Sequence, residues 1–170
     1  MLQKDNLLEQ AIRVNHAGEY GAVCIYSGQE FVFRKMPVGQ KIVEMKKQEQ
    51  KHFSYFDSLM KDKRIRPTVF LPVWHVMGVM LGITTALIGE DAAMACTVAV
   101  EDVISDHYRD QITMLDDGEL KDKIIQFRNE ELEHHDTAMF HNFGNASNYR
   151  VLSFFIKKAC KAAICISKII

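Results

Sequence analysis

The chain has almost nothing that would interrupt a helix: three prolines (Pro37, Pro67, Pro72) and nine glycines are spread over 170 residues. It also lacks runs of alternating apolar and polar residues, which argues against a sheet protein. Its four cysteines, Cys24, Cys96, Cys160 and Cys165, form no C-x-x-C pair, which excludes a zinc ribbon and a disulfide framework. They read as small buried apolar residues of a reducing compartment. Neither sign of charge is in excess, with 21 Lys and Arg against 22 Asp and Glu, so no electrostatic case exists for a nucleic-acid partner. The first residues, Met1 to Asn15, carry Lys4, Asp5, Glu9 and Arg13 and lack the apolar run of an export signal. What is present is 48% hydrophobic and 25% charged, the balance of one folded domain over 1–170, not of a disordered chain.

Apolar residues recur at three-and-four spacing, which predicts an all-α protein. A first helix is expected from about Leu7 to Met36, stopped by Pro37-Val38-Gly39, and a second from about Gln40 to Asp62. An apolar crossover follows, about 67–90. A second hairpin, about 91–142, turns at Asp116-Asp117-Gly118 and ends at Gly144 to Asn148, and a last amphipathic helix fills about 149–170.

Four of the apolar seams are interrupted by glutamate, and two of them by histidine as well, which buried ionisable groups do only for a reason. E-x-x-H occurs at Glu49/His52 and again at Glu131/His134. Glu19 precedes Glu49 by 30 residues, Glu101 precedes Glu131 by 30, and an offset of 82 maps the first set onto the second, carrying Tyr26 onto Tyr108 and Gln29 onto Gln111. Two copies of one helical hairpin are implied. Residues three apart on a helix lie on one face, so each Glu and His can reach a common point. Glu19, Glu49, His52, Glu101, Glu131 and His134 then form the ligand pattern of ferritin-like di-metal carboxylate bundles. Two divalent cations would neutralise four buried carboxylates, and the imidazole and carboxylate donors suit iron or manganese. Glu30 lies about 16 Å along the helix from Glu19, too far to share the site. Glu130, Glu133, His135 and Asp136 fall off the seam. Tyr26 and Tyr108 read equally as core residues or as the lining of a substrate or electron path.

Residues 67–89 carry no formal charge, long enough for a membrane span, but prolines, glycines and His75 dilute them. A helix lying on the membrane surface fits better, with a crossover packed on the bundle as the other reading. In the last helix, Lys157, Lys161 and Lys168 form one stripe and Leu152, Phe155, Ala159, Ala163, Ile166 and Ile170 another, a basic amphipathic pattern suited to anionic lipid or a partner helix.

Five blocks are more specific than E-x-x-H: R-V-N-H-A-G-E-Y-G-A (Arg13 to Ala22), Q-E-Q-K-H (Gln48 to His52), R-P-T-V-F-L-P-V-W (Arg66 to Trp74), A-M-A-C-T-V-A-V-E (Ala93 to Glu101) and E-E-L-E-H-H-D (Glu130 to Asp136). In these the chain resembles the demethoxyubiquinone hydroxylase family of ubiquinone (coenzyme Q) biosynthesis. The resemblance implies a di-iron monooxygenase that uses O2 as co-substrate and an external reductant to hydroxylate the ring of a polyprenylated quinone. It places the iron ligands on the six residues above, with Glu49 and Glu131 bridging, and sets His107 and Tyr149 near the quinone or on an electron route. It implies a peripheral protein on the cytoplasmic face of the cell membrane or an equivalent inner-membrane face, with a homodimer or a lipid-binding accessory protein as partner. Asp102 departs from the family's usual Glu, no organelle-targeting extension is seen, and Asn142 to Asn148 is unlike its counterpart. The rival reading is a ferritin-like ferroxidase or iron-storage protein. A rubrerythrin-like enzyme would require clustered cysteines, and a metal-free helical module would leave the six residues unexplained.

Overall fold

The computed structural model describes residues 2–141 and 149–169. Among these there are six helices and no strand: α1 (Leu2–Phe33), α2 (Pro37–Lys63), α3 (Leu71–Ile88), α4 (Glu90–Met114), α5 (Glu119–His141) and α6 (Arg150–Ser167). The expected all-α architecture is therefore observed. The expected turn at Gly144 to Asn148 and the end of the stripe at Ile170 lie outside the described residues.

Two helix ends differ from the sequence-based boundaries. α1 begins five residues earlier than Leu7, because Gln3 to Asn6 contain no breaker. Pro37 opens α2 and does not end α1. Its fixed φ suits a first helical position, where its missing N–H costs nothing, so the turn falls on 34–36. α2 closes through Arg64 in the left-handed region (φ 55°), whose N–H donates to the carbonyls of Lys61 and Met60.

The chain divides into two compact units, Met1–Leu87 with Ala162–Ile170, and Ile88–Lys161. In the first, α1 and α2 pack as a hairpin around Ile12, Ile42, Met45 and Phe56, all nearly inaccessible. α3 lays Gly78, Gly82, Thr85 and Ala86 inward and leaves Val73, Val76, Met77 and Met80 exposed. Arg13 is buried and ties the ends of this unit together: its Nε donates to the Arg66 carbonyl (2.8 Å) and its guanidinium to the Lys168 carbonyl (3.1 Å). Trp74 Nε1 donates to Ser167 Oγ at 3.0 Å.

In the second unit α4 and α5 form the other hairpin, with Met94, Ala99, Val103 and Tyr108 facing Ile124, Phe127 and Ala138 in its core. Lys157 of α6 forms an ion pair with Asp102 of α4, and His135 Nε2 lies 3.4 Å from the same carboxylate.

The apolar stripe expected on α6 is only partly covered by the protein. Leu152 and Ala163 of the stripe are half-buried and Phe155, Ala159 and Ile166 exposed, while Ile156 beside it is buried. Apolar residues cover more of the helix than one protein contact absorbs. The cysteines also divide, with Cys24 and Cys96 buried, Cys160 half-buried and Cys165 exposed. Burial raises both the Cys24 and the Cys160 thiols to about 11, so both stay protonated.

Candidate metal centre

In the first unit Glu19 sits near the middle of α1, and α2 presents Glu49 and His52 one turn apart. Glu19 is 1% exposed and the other two are fully buried. One donor atom from each of the three lies within 4.8 Å of the others. His52 Nδ1 stands 3.4 Å from Glu19 and 3.8 Å from Glu49.

The second unit repeats this arrangement. Glu101 comes from the middle of α4, Glu131 and His134 from one turn of α5, all at most 2% exposed. Their donor atoms also lie within 4.8 Å of one another. His134 Nδ1 is 3.4 Å from Glu131 and 4.0 Å from Glu101. The internal repeat at an offset of 82 is thus a repeat of geometry as well as of letters: in each hairpin one glutamate from the first helix meets an E-x-x-H turn of the second.

Two carboxylates and one imidazole, converging away from water, can hold a divalent cation. Carboxylate oxygens supply hard anionic donors, the imidazole nitrogen a borderline one, and a cation between the carboxylates offsets the repulsion that burial otherwise intensifies. The two nearest structural competitors for such residues, solvated glutamates and surface histidines, do not apply at these exposures.

The remaining sequence candidates fall elsewhere. Glu30 forms an ion pair with Lys46, as expected for a residue outside the site. Glu133 and Asp136 are exposed and Glu130 and His135 half-buried. Tyr26 and Tyr108 are buried, at 2% and 1% exposure, at matching positions of the two hairpins. His107 is half-buried and its Nε2 lies 2.7 Å from the Gln111 amide of its own helix. Tyr149 is half-buried at the start of α6.

Sequence reading missed a second cluster, in the first unit. His16 and Tyr20, a helical turn apart on α1, flank Glu19. Tyr20 Oη is 2.9 Å from His75 Nδ1 of α3, and His16 Nε2 is 3.5 Å from Asp57 of α2. The available signals were an i, i+4 pair inside the Arg13 to Ala22 block and the lone titratable residue of the apolar crossover. His16 is 4% exposed, and this burial holds its pKa below 6.5 despite the attraction of Asp57. The unfolded chain therefore takes up the proton first as pH falls. The stability that neutral His16 contributes is complete above pH 6.5 and is lost progressively below it. We expect urea midpoints to drop between pH 6.5 and 5 in the parent chain, and the drop to shrink by about one proton's worth of slope in His16→Gln. An unchanged slope would show that another group is responsible.

A family described as "Ubiquinone biosynthesis protein COQ7" matches residues 6–167. The chain is 48% identical over 167 residues to the NADPH-dependent 3-demethoxyubiquinone 3-hydroxylase, mitochondrial, of Rattus norvegicus, covering 95% of this chain and 77% of the relative. It is 46% identical to the 3-demethoxyubiquinol 3-hydroxylase of Rhodospirillum rubrum (95% and 78% covered) and 40% identical to the 5-demethoxyubiquinone hydroxylase, mitochondrial, of Saccharomyces cerevisiae (92% and 76% covered). With matches of this extent running through both Glu/His triplets, the chain belongs to the ubiquinone biosynthesis protein COQ7 family.

Proposed function

We propose that this chain is a di-iron monooxygenase that hydroxylates the ring of a polyprenylated demethoxyubiquinol in ubiquinone biosynthesis. The observation that carries the reading is the twice-built, buried Glu/Glu/His triplet in a chain of this family. Storage of iron is the weaker reading, since the relatives named above are all hydroxylases.

In this reading the chain is a single ferritin-like di-iron domain over 1–170. Glu19, Glu49 and His52 of the first hairpin and Glu101, Glu131 and His134 of the second would hold the iron. Iron so held supplies activation of O2, one atom of which enters the ring while the other leaves as water, with electrons from an external reductant. The chain's own contribution is to fix the donors and to keep water from them: helical spacing holds each Glu and His on one face, and exposures of at most 2% exclude solvent from both triplets. Tyr26 and Tyr108 line the approach of ring or electrons. His107, oriented by Gln111, and Tyr149 stand near the quinone.

The substrate's tail requires a lipid-facing surface. α3 is long and apolar enough to cross a membrane, yet only 22% of it is buried within the protein. Gly78, Gly82 and Thr85 pack inward while Val73, Val76, Met77 and Met80 face out, which supports the reading of α3 as a helix lying on the membrane surface. α6 and the residues just after it carry exposed Val151, Phe155 and Ile169, with Lys158, Lys161 and Lys168 also exposed. In this reading the protein is peripheral, on the cytoplasmic face of the membrane or its inner-membrane equivalent, with a homodimer or a lipid-binding accessory protein as partner.

The test is mass spectrometry of the quinone pool in a bacterial strain lacking its own demethoxyubiquinone hydroxylase. Supplying the chain should convert the demethoxy precursor to ubiquinone. Persistence of the precursor beside folded, iron-loaded protein would overturn the assignment.

A further inference from the structure

A cavity of about 780 Å³ opens in the first unit, in the size range of small-molecule sites. α1 contributes His16 and Tyr20 to its wall, α2 contributes Phe53, Asp57, Met60 and Lys61, and the α2–α3 connection adds Ile65 and Pro67. The start of α3, Leu71 to Val76, closes it. None of these residues belongs to the metal triplets, although His16 and Tyr20 flank Glu19 and Phe53 follows His52. The cavity is therefore built by the same helical turns that carry the first triplet, using side chains from other faces.

Its chemistry is specific. Two rings flank Phe53, His16 at 4.8 Å and Tyr20 at 5.4 Å, and His75 lies against the Tyr20 ring at 5.9 Å between centroids. Flat aromatic walls select a planar ring over a flexible acyl chain. The polar groups among them serve both redox forms of a para-dioxygenated ring. A carbonyl oxygen can accept from the Tyr20 hydroxyl or the Lys61 ammonium, and a ring hydroxyl can donate to Asp57. Val76 is 60% exposed and belongs both to the cavity wall and to the exposed apolar face of α3, so the opening adjoins that face. An occupant with a ring in the cavity and a long apolar tail can leave the tail along Val73, Val76 and Met80.

We propose that this cavity is a docking site for a prenylated quinone or quinol ring, distinct from the metal centre, where the headgroup is held after leaving the bilayer. The proposal takes its substrate class from the hydroxylase reading. It predicts that the site binds the ring whatever the state of the metals.

The probe is a photoreactive aryl-azide benzoquinone bearing two isoprene units, irradiated with the purified full chain in detergent and mapped by peptide mass spectrometry. Cross-links should fall on 53–65 and 71–76 and be displaced by excess unlabelled quinone. Val76→Trp, which puts a bulky ring over the opening from an exposed position, should cut labelling at least fivefold and raise KM similarly, with kcat and iron content within twofold of the parent. Leu87→Trp, exposed at the far end of the same helix and outside the cavity, should do neither. Labelling elsewhere, or equal labelling of the parent and Val76→Trp, overturns the proposal. Saturable labelling of the cavity by a chain that hydroxylates nothing would leave the docking site standing and bring down the enzymatic reading alone. Normal hydroxylation with parental KM in Val76→Trp would bring down the docking site alone.

Discussion

Glu131→Ala should lose bound iron and, with it, ring hydroxylation by at least a thousandfold, the largest functional effect expected of any single change. The argument rests on position. Glu131 is fully buried, 3.4 Å from His134, and shares its cluster with Glu101. Substituting groups that merely orient metal ligands typically costs 10–100-fold, and removing a donor itself should cost well beyond that. Stability separates this from simple misfolding. Ferrous iron added to the parent chain should raise Tm increasingly with its free concentration, as a ligand of the folded state does. In Glu131→Gln, which keeps the volume and removes the charge, that response should vanish. The metal-free variant should melt at or above the metal-free parent, because one of several neighbouring buried carboxylates has been neutralised. Thermal melts with and without iron, together with metal content by mass spectrometry, check both signs. Normal turnover by Glu131→Ala would sink the ligand assignment.

How far the sequence could be read depended on the range of the interaction. The helices are fixed by local features, so three-and-four spacing and the scarcity of breakers located all six to within a few residues. The exceptions, the early start of α1 and Pro37 opening α2, are end effects in which a missing breaker or a preset φ outweighed the pattern. The six Glu and His residues were legible because the repeat doubles a periodic local signal, and the structure places each set of three together inside its own hairpin. The cavity around Phe53 was not legible. Its walls come from His16, Asp57 and His75, which are separated by about forty and twenty residues, and no spacing rule links side chains brought together by three helices. The cysteine reading failed at Cys165 for a related reason. A general tendency of the thiol to be buried has no purchase on a helix with more apolar surface than its contact covers.

The other large effect concerns the seat of α3, and there the sign of the change is diagnostic. In an ordinary helix Gly→Ala stabilises by about 0.5–1 kcal/mol, since alanine loses less backbone freedom on folding. At Gly82 the added Cβ would lie 2.0 Å from the Ile25 carbonyl oxygen and 3.1 Å from the Gln29 nitrogen, both backbone atoms of α1. On the facing helix, a Cβ at Gly28 would lie 2.4 Å from the Val79 carbonyl oxygen. Backbone cannot move aside as a flexible side chain can, so α3 must lift from α1 and surrender the burial of Thr85 and Ala86. Overpacking of this kind costs about 2–3 kcal/mol. Gly21, on the same α1, has nothing within 4 Å of its would-be Cβ. Gly21→Ala should therefore stabilise by roughly 0.5 kcal/mol, and Gly82→Ala should destabilise by about 2–3 kcal/mol. Chemical denaturation in detergent measures the difference. Equal midpoints for the two variants would mean that α3 does not pack on α1 through its glycines. Because α3 also presents the exposed apolar face of Val73, Val76, Met77 and Met80, Gly82→Ala should weaken binding to anionic vesicles while iron content stays at the parental level.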